Sequence, residues 1–537
     1  MALDELLADR LLTYKPADKN LGIVIMDTNQ YNDTVDAILR DYTTYKCVEH
    51  LPEMINNTTR SMFQYYHALL KSKSLKEEKY QTFLKKIVGY HNNQQNLEHF
   101  AASHRLPGVY MMPKLHKYPR PINNPKAWRP IIPSHRWITG PLSRIVDTIL
   151  LPIVKAHTIE TTADLQRGAT IIKDSKSLIN IVETLKIQDP DCILITSDIS
   201  SLYTNIPTDT GPDVVAGMVA DEHKSIVRNL LRMILKNNCF QFNGRPFIQV
   251  NGTAMGTNSA PNYANLFLIP FETRFIARYR REILFYGRYL DDIIIILSSK
   301  CNLQQFQLDF TQICPHLEFS FKYSPIEIEF LDIVFYKGHR FDRDSVLDTR
   351  VHQKSCNNYL YLPYRSQHTL HTKKSMITTE LQRYIRLSSD FQHFQEIRSL
   401  FHERLLTRGY GRALLHFLFN SEAARYRNRA QLLKSQARKS DKPKTDSDQP
   451  ILFFSMEFNA TTQQFATQMQ QHLHRVIDNC REILLLEGIP PPRTMIAWRS
   501  SPNFFRLMNT NMRDFFTAEK KAALPSATGL MASTVGH

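Results

Sequence analysis

The chain has little cysteine and no long apolar run. Its seven cysteines among 537 residues are scattered, their number is odd, and none of them forms a Cys-x-x-Cys pair. This pattern argues against a zinc ribbon or a disulfide framework and favours a reducing compartment. No segment reaches the roughly 18 apolar residues that a membrane-spanning helix needs, and residues 1–5 do not resemble the start of a secretory signal peptide. We therefore expect no membrane-spanning segment and no secretory signal.

What the chain has in excess is positive charge. Sixty-seven lysines and arginines stand against 51 acidic residues, which gives a formal net charge of +16 at pH 7. This excess indicates a polyanionic partner, with nucleic acid as the first candidate and an anionic membrane surface as the second. Apolar residues make up 42% of the chain, enough for several packed cores, and the length suggests roughly three or four structural units.

Patterns of proline, β-branched residues and charge divide the chain. Residues 1–100 have mostly helical patterns, whereas eight prolines from Leu106 to Pro141 exclude a long helix there. From Asp191 onward, short β-rich runs alternate with helical stretches, which predicts an α+β region with antiparallel strands. The chain then becomes helical and basic, until a Ser/Asp/Lys/Pro-rich stretch ending at Pro450 indicates a linker. We expect a last helical unit after it, followed by a disordered tail.

Two adjacent carboxylates stand at the tip of an expected hairpin. Asp291 and Asp292 lie between two β-rich runs, Ile283–Tyr289 and Ile293–Leu297. Aspartate is a common turn residue, so the pair also has a purely structural interpretation. The second run starts with four successive isoleucines, however, which indicates a strand buried on both faces. Carboxylates at the rim of such a strand are costly unless something positive lies beside them.

A third carboxylate also ends an apolar strand. Asp198 follows the run Ile193–Thr196. Magnesium ions prefer oxygen ligands and keep positions for substrate phosphates and water, so two strand-end aspartates, Asp198 and Asp291, can anchor such ions. Two ions about 3.5–4 Å apart are what phosphoryl transfer needs, because they stabilise both the attacking and the leaving oxygen.

A glycine-containing loop lies between these carboxylates in the sequence. Residues 252–261, Gly-Thr-Ala-Met-Gly-Thr-Asn-Ser-Ala-Pro, run into an expected helix. Glycine and other small residues let a backbone approach a nucleotide or a template base closely. An ordinary helix N-cap at Asn258 or Ser259 explains the same segment equally well when it is taken alone.

These elements follow one another as a strand-end aspartate, a glycine loop with a helix, and a Tyr-x-Asp-Asp hairpin, at residues 197–207, 254–266 and 288–292. In this order they resemble motifs A, B and C of the reverse transcriptases of Penelope-like retroelements, which are related to telomerase reverse transcriptase. The resemblance extends from residue 14 to residue 510. Further segments similar to the family's opening, finger, primer-grip and thumb motifs are residues 15–27, 110–117, 128–131, 330–333, 359–368 and 408–410.

The resemblance implies an RNA-directed DNA polymerase with a two-metal active site. Asp198, Asp291 and Asp292 would be the catalytic residues, and the same three together with Ile199 would form the metal site. Two Mg²⁺ ions are expected there, with Mn²⁺ as an alternative. A primer 3′-OH would attack the α-phosphate of a dNTP on an RNA template, and pyrophosphate would leave.

The same resemblance assigns the substrate contacts. Tyr203 would place a ring against the 2′ position of the incoming nucleotide and disfavour ribonucleotides, although a core tyrosine at a strand–helix turn is an alternative. Lys114 and Arg129 would neutralise the triphosphate; ordinary solvated loop charges are the alternative there. The residues that would shape the pocket for the template and the dNTP are Met255, Gly256 and Pro261.

Some assignments depart from the family or rest on a weaker match. Met255 stands where many reverse transcriptases have a glutamine, which puts the primer 3′-OH contact at that position in doubt. Phe330, Leu331 and Asp332 would form the primer grip, but a plain hairpin strand explains them nearly as well. Lys322 is a poor match to a general acid for pyrophosphate.

The implied architecture is an α+β right hand with an antiparallel palm sheet. The expected parts are an N-terminal helical region with fingers over 1–190, a palm over 191–345, a helical thumb over 346–435, a linker over 436–450, a C-terminal helical unit over 451–520 and a disordered tail over 521–537. The partners would be an RNA template, a DNA primer and dNTPs, with no membrane partner, because the motifs explain the positive charge better. The location would be the nucleus.

Two alternatives stay open on the sequence. One is a catalytically silent nucleic-acid-binding protein with a polymerase fold, and the other is an RNA-dependent RNA polymerase. The three aspartates argue against the first, and Tyr203 argues against the second. Only 37 residues follow Ser500 and no GIY-YIG motif appears in the sequence, so the resemblance is to a type that lacks this endonuclease or to a truncated copy.

Overall fold

The structure is a computed structural model, and it describes residues 11–72, 106–115, 124, 127–134, 137–355, 357–429, 433, 451–487, 490 and 492–499. The expected linker at 436–450 and the expected tail at 521–537 lie outside these residues. Most of the basic stretch 425–444 lies outside them as well.

The N-terminal part contains more β-structure than its sequence pattern predicts. Its elements are β1 (Leu12–Pro16), β2 (Ile23–Asp27), α1 (Thr28–Leu39), β3 (Tyr45–Cys47), α2 (Leu51–Ser72), β4 (Tyr110–Pro113), β5 (Trp128–Ile131) and α3 (Gly140–Ala156). β1 and β2 form an antiparallel hairpin, closed by a 2.9 Å hydrogen bond from Ala17 N to Gly22 O. The helical expectation is wrong for residues 12–27, because Gly22 has a φ of +107° and permits a tight reversal.

The proline-rich segment forms short extended pieces, as its sequence predicts. β4 and β5 pair as an antiparallel hairpin. Pro141 lies in the first turn of α3, where its missing N–H removes no helical hydrogen bond. This hairpin carries Arg129 on its second strand, and Lys114 directly follows the first.

The central part contains the expected alternation of helices and strands. Its elements are α4 (Thr162–Gln166), α5 (Ser175–Val182), β6 (Ile193–Ser200), α6 (Leu202–Asn205), α7 (Gly211–Gly217), α8 (Asp221–Leu235), β7 (Cys239–Phe242), β8 (Arg245–Gln249), α9 (Ala260–Arg278), β9 (Ile283–Tyr289) and β10 (Asp292–Leu297). β9 and β10 form the hairpin expected around Asp291, and β10 also pairs antiparallel with β6.

The strands after this hairpin are shorter than the sequence indicates. The elements here are α10 (Leu303–Thr311), β11 (Glu318–Phe319), β12 (Lys322–Ser324), β13 (Glu327–Phe330), β14 (Ile333–Tyr336), α11 (His339–Asp344) and β15 (Asp348–Val351). Residues 317–323 are one of the short β-rich runs in the sequence, which predicts one strand, but they contain parts of two strands that both pair with β6. The run 330–336 is a hairpin turn plus one strand, because Leu331 has a φ of +55° and reverses the chain.

The palm sheet is buried on both faces, as the isoleucine run predicts. Its strands lie in the order β11–β6–β10–β9, with β12 also on β6. Ile293 and Ile295 pack in one apolar core with helices α3, α8 and α9. Ile294 and Ile296 pack in a second core with α5 and the β13–β14 hairpin. Alternate side chains therefore fix this strand from two sides.

Three helices follow the palm: α12 (Leu370–Leu387), α13 (Phe391–Thr407) and α14 (Arg412–Tyr426). They share a separate core that includes Tyr384, Phe394 and Phe401, all fully buried. Within the described part of the chain, no helix is both long and apolar enough to cross a membrane.

The C-terminal unit is not purely helical. Its described elements are β16 (Ile451–Glu457), α15 (Ala460–Asn479), α16 (Arg481–Leu486) and β17 (Arg493–Arg499). β16 and β17 pair in parallel, with Ile451 opposite Arg493. The helical expectation for 451–520 is therefore wrong at both strands, and residues 500–520 lie outside the described residues.

Candidate active site

The sheet register brings the three predicted carboxylates to one edge. Asp198 near the end of β6 is the direct partner of Asp292 at the start of β10. Ile199 N donates to Asp291 O at 2.9 Å, which ties the hairpin tip to β6. Directly opposed residues of antiparallel strands point to the same face, with Cα atoms roughly 4.5–5.5 Å apart. Asp198 and Asp292 therefore share a face, and Asp291 lies beside them in the turn.

The carboxylates affect one another electrostatically. Burial first, and then repulsion from the other two carboxylates, raises the pKa of Asp292 to about 6. Burial and the charge of Asp198 likewise raise the pKa of Asp291 above its usual range, while the cations Arg129 and Lys19 act in the opposite direction. Three mutually repelling carboxylates at one point form an environment that favours a bound cation.

The donor set suits a hard divalent cation that shares its coordination with a substrate. Among the described residues, no group of three or more His, Cys, Asp or Glu side chains is arranged to hold a metal by itself. Magnesium typically takes only one or two protein carboxylates and completes its shell with water and phosphate oxygens. The Ile199 side chain is buried and apolar, so only its main chain can contribute.

Positive charge reaches this edge from the N-terminal part. Arg129 Nη2 lies 3.3 Å from Asp18 Oδ2, and the arginine side chain stays 41% exposed. Lys19 follows Asp18 in the β1–β2 turn with a φ of +61° and an exposed side chain. Lys114 is half-buried, and its backbone N donates to Ala127 O at 2.8 Å. The two hairpins therefore bring Arg129 and Lys19 towards the carboxylates.

Tyr203 lies between Asp291 and the glycine loop. Burial, followed by the charge of Asp291, raises the pKa of this half-buried tyrosine to about 12. Its backbone O accepts a 2.7 Å hydrogen bond from Thr253 N. A Cβ on Gly252, which has a φ of +72°, would lie 2.4 Å from the same oxygen. The loop glycine thus permits the close approach that fixes Tyr203.

The glycine loop also packs closely against the segment after β5. Gly256 has a φ of +124°, and a Cβ there would lie 2.3 Å from Ile132 O. Ile132 N donates to Met255 O at 2.9 Å, so the Met255 carbonyl is already used within the protein. Pro261 is exposed in the first turn of α9.

The simple capping interpretation of the loop does not hold. Ser259 occupies the N-cap position of α9, but its side chain accepts no hydrogen bond from the helix. Instead its Oγ lies 3.0 Å from Ser143 Oγ, and its backbone N donates to the same hydroxyl at 2.9 Å. The loop is therefore held by α3 rather than by its own cap.

The expected primer-grip residues form a turn in which Phe330 is buried and Leu331 and Asp332 are half-buried. Phe330 is 4% exposed and belongs to the second core. The Asp332 carboxylate accepts hydrogen bonds from the Ser175 hydroxyl and from Arg383 on α12. This turn ties the palm to the helices on either side, and its role as a primer grip stays a prediction. Lys322, also weakly assigned, lies on β12 opposite Thr196 and away from the hairpin tip.

Two residues near the site have no assigned role in the sequence analysis. Lys19 belongs to the opening motif, and only the fold brings it towards Asp291. Arg288 precedes the Tyr-x-Asp-Asp sequence, and its side chain is fully buried. The signal that could have identified it is a charged residue inside an apolar strand, together with Glu272 inside a largely buried helix.

A known family covers the region that contains this site. Residues 116–326 match the family model described as reverse transcriptase (RNA-dependent DNA polymerase). This match contains all three aspartates and the glycine loop. Residues 360–417, which include α12 and α13, match an animal helix-turn-helix domain. No curated protein matches the sequence.

Solved structures of low sequence identity are also similar. Telomerase from Candida albicans in complex with a fragment of telomeric RNA has 8% identity and a TM-score of 0.45, over 83% of this chain and 74% of that one. Apo telomerase from Candida tropicalis has 8% identity and a TM-score of 0.41, over 82% and 76%. The RNA-dependent RNA polymerase of a human picobirnavirus has 12% identity and a TM-score of 0.35, over 59% and 62%. These values are too low to carry a functional argument.

The match over residues 116–326 indicates that the protein is an RNA-directed DNA polymerase. Its helices and antiparallel sheets form an α+β fold. Enzymes of this family act on an RNA template and use divalent metal ions.

Proposed function

We propose that this RNA-directed DNA polymerase is the reverse transcriptase of a Penelope-like retroelement, which extends a DNA primer with dNTPs on an RNA template in the nucleus. The observation that carries the catalytic part is the strand register that pairs Asp198 with Asp292 and places Asp291 beside them. The order of the motifs along the chain supports the Penelope-like assignment.

In this proposal, Asp198, Asp291 and Asp292 hold two Mg²⁺ ions, or Mn²⁺ in their place. When bound, such ions stabilise the negative charge that develops on the attacking and leaving oxygens. The chain itself contributes the geometry. The turn residue Leu290, with a φ of +54°, directs the two hairpin carboxylates towards β6.

The triphosphate is held by the cations that the N-terminal part supplies. Arg129 is the strongest candidate, because its ion pair with buried Asp18 keeps it in place while much of the guanidinium stays exposed. A fixed cation stabilises developing phosphate charge without reorganising during the reaction. Lys19 is a further candidate, because its charge acts on Asp291. Lys114, which directly follows β4 in the hairpin that carries Arg129, is another.

Tyr203 is the residue to which we assign the selection of deoxyribonucleotides over ribonucleotides. Its backbone O accepts the hydrogen bond from Thr253 N of the glycine loop. The charge of Asp291 contributes to the raised pKa of its hydroxyl. A ring fixed at this place would collide with a ribose 2′-OH, and a dNTP would fit.

Primer extension with the Asp291→Asn variant tests the catalytic proposal. We expect dNTP incorporation on an RNA template to fall by about 100- to 1,000-fold, because removing one preorganised group that stabilises transition-state charge has effects of this order. RNA binding should stay close to that of the unmodified protein. Asp213→Asn is the matched control, because Asp213 pairs with Arg228 and Arg232 on the far helix α8.

The same assay separates the alternatives. Undiminished incorporation by a clean Asp291→Asn preparation would contradict the catalytic role of the hairpin. Incorporation of rNTPs in preference to dNTPs on RNA would identify an RNA-dependent RNA polymerase instead. Tight RNA binding with no incorporation by the unmodified protein would indicate a silent binding protein.

A further inference from the structure

We propose that Arg288 is a positioning residue that fixes the catalytic turn and joins it to the helix behind the glycine loop. This inference rests on the proposed function, because it concerns the same carboxylates. Arg288 lies on β9, three residues before Asp291, and its side chain is 0% exposed. A charged group is so costly inside a core that its partners must explain its presence.

The main partner of Arg288 is a buried glutamate on α9. Arg288 Nε lies 2.6 Å from Glu272 Oε1, and its Nη2 lies 3.1 Å from Oε2. The Glu272 side chain is only 3% exposed. The two groups therefore form a bidentate ion pair away from water, with the geometry that suits a guanidinium and a carboxylate best.

The remaining donors of the guanidinium bind a second residue of α9 and the hairpin turn. Arg288 Nη1 donates to Asn265 Oδ1 at 2.7 Å and to Leu290 O at 3.1 Å. Its Nη2 donates to Asn265 O at 3.0 Å. An arginine has five N–H donors in a fixed planar arrangement, and each of them has a partner here.

The acceptors of the network are equally satisfied. Tyr286 donates its hydroxyl to Glu272 Oε1 at 2.8 Å, and Thr170 donates its hydroxyl to Oε2 at 3.1 Å. The backbone of Arg288 is fixed as well, since its N donates to Thr170 O at 2.7 Å and its O accepts from Ile172 N at 2.7 Å. A fully satisfied buried network has one low-energy arrangement and is therefore rigid. We call this network of Arg288, Glu272 and Asn265 the bracket.

This bracket connects the two parts of the active site. Leu290 has a left-handed backbone, with a φ of +54°, in the turn that presents Asp291. Residues with a Cβ rarely adopt this conformation without support, and the Arg288 guanidinium holds the Leu290 carbonyl. At the other end, Asn265 lies on the first turns of α9, directly after the glycine loop. A shift of α9 would therefore move the catalytic turn.

Stability alone does not explain the network. Buried ion pairs can often be replaced by apolar residues of similar volume without loss of stability, whereas removing one partner is strongly destabilising. An apolar pair at 272 and 288 would fill the same space. It would not hold the Leu290 carbonyl, so it would preserve the fold and lose the geometry of the turn.

The test compares Arg288→Met with the double variant Arg288→Met/Glu272→Met. We expect the single variant to unfold at a clearly lower temperature and the double variant to recover most of that loss. In the double variant, kcat should stay about 100-fold below that of the unmodified protein, as for a displacement near 1 Å at a reacting centre, with little change in KM for dNTP. Ile234→Ala, in the buried face of α8, is the control that lowers stability without lowering kcat.

A second measurement does not depend on polymerase activity. Titration with Mn²⁺ alone should give at least about tenfold weaker binding to the double variant, the usual effect of losing an outer support of metal ligands. A double variant with normal stability, normal kcat and normal Mn²⁺ affinity would overturn the proposal. If the unmodified protein showed no incorporation, the proposed function would fail, while the Mn²⁺ titration would still decide the role of Arg288.

Discussion

At the scale of single residues, Tyr203 has the most specific expected effect. Tyr203→Ala should raise incorporation of rNTPs relative to dNTPs by on the order of tenfold or more, because removing a steric contact relaxes discrimination by such amounts. The measurement is the ratio of kcat/KM for the two nucleotide types on one RNA template. Tyr203→Phe keeps the ring and should keep the discrimination. Equal selectivity in the alanine variant and the unmodified protein would remove the steric role.

Two glycines give a matched pair for the backbone of the loop. Gly256→Ala should destabilise the protein by about 1–3 kcal/mol, because the residue has a φ of +124° and the added Cβ would meet Ile132 O. Gly217→Ala, at the end of α7 with open space around it, should be neutral or stabilise by up to about 1 kcal/mol. Chemical denaturation measures both. A loop that tolerated alanine at 256 would show that the close approach is dispensable.

At the scale of elements, the β1–β2 hairpin is expected to act in substrate binding. Lys19→Ala should raise KM for dNTP by about tenfold, since one charge-assisted contact to a phosphate is worth roughly 1.5–3 kcal/mol. The kcat value should change less. Lys46→Ala on β3, another exposed lysine of the N-terminal part, serves as the control. Equal KM values for both variants would show that Lys19 does not meet the triphosphate.

How much of the fold the sequence predicts differs between elements. The β9–β10 hairpin and its burial follow directly from the isoleucine run, because a strand buried on both faces is continuously apolar. The β16–β17 pair could not be foreseen, since parallel partners lie far apart in the chain and most β16 side chains are exposed. The β1–β2 hairpin depends on the positive φ of Gly22, which a helical sequence pattern does not indicate.

The residues of the site also differ in how far the sequence predicts them. The three aspartates can be found from the sequence, because each adjoins a recognisable strand. Arg288 and Glu272 each stand out as a charged residue in a buried element, but their pairing could not be found, because it depends on how a helix and a strand 16 positions apart in the chain pack together. Asp332 is a further case. Its carboxylate binds Arg383, a contact that no local pattern indicates.

At the scale of the whole molecule, the net charge of +16 predicts a strong salt dependence of nucleic-acid binding. The logarithm of the affinity should fall with the logarithm of salt concentration, with a slope of about −0.9 for each duplex phosphate that is neutralised. Titrations of an RNA–DNA duplex at several salt concentrations measure this slope. A flat dependence would assign the excess charge to the solvated surface.

Some of the basic side chains bind acceptors within the protein. Arg429, in the basic stretch 425–444, donates to Glu183 and to the carbonyls of Ile385 and Arg386. Arg425 likewise pairs with Glu422. Arg429 joins α12 to Glu183, which follows α5, whereas the Arg425 pair lies within α14. Fewer basic side chains are therefore available to a nucleic acid than the sequence count suggests.

The central position of β6 has a consequence for how the protein is made. Both neighbours of this strand, β10 on one side and β11 with β12 on the other, come later in the chain. Contacts between distant segments carry a larger chain-closure cost and form slowly. A ribosome that has synthesised Asp198 must therefore still deliver more than a hundred residues, to Ser324, before the carboxylate has a sheet around it. We therefore expect the newly made chain to have no polymerase activity until all the strands that pair with β6 have been synthesised.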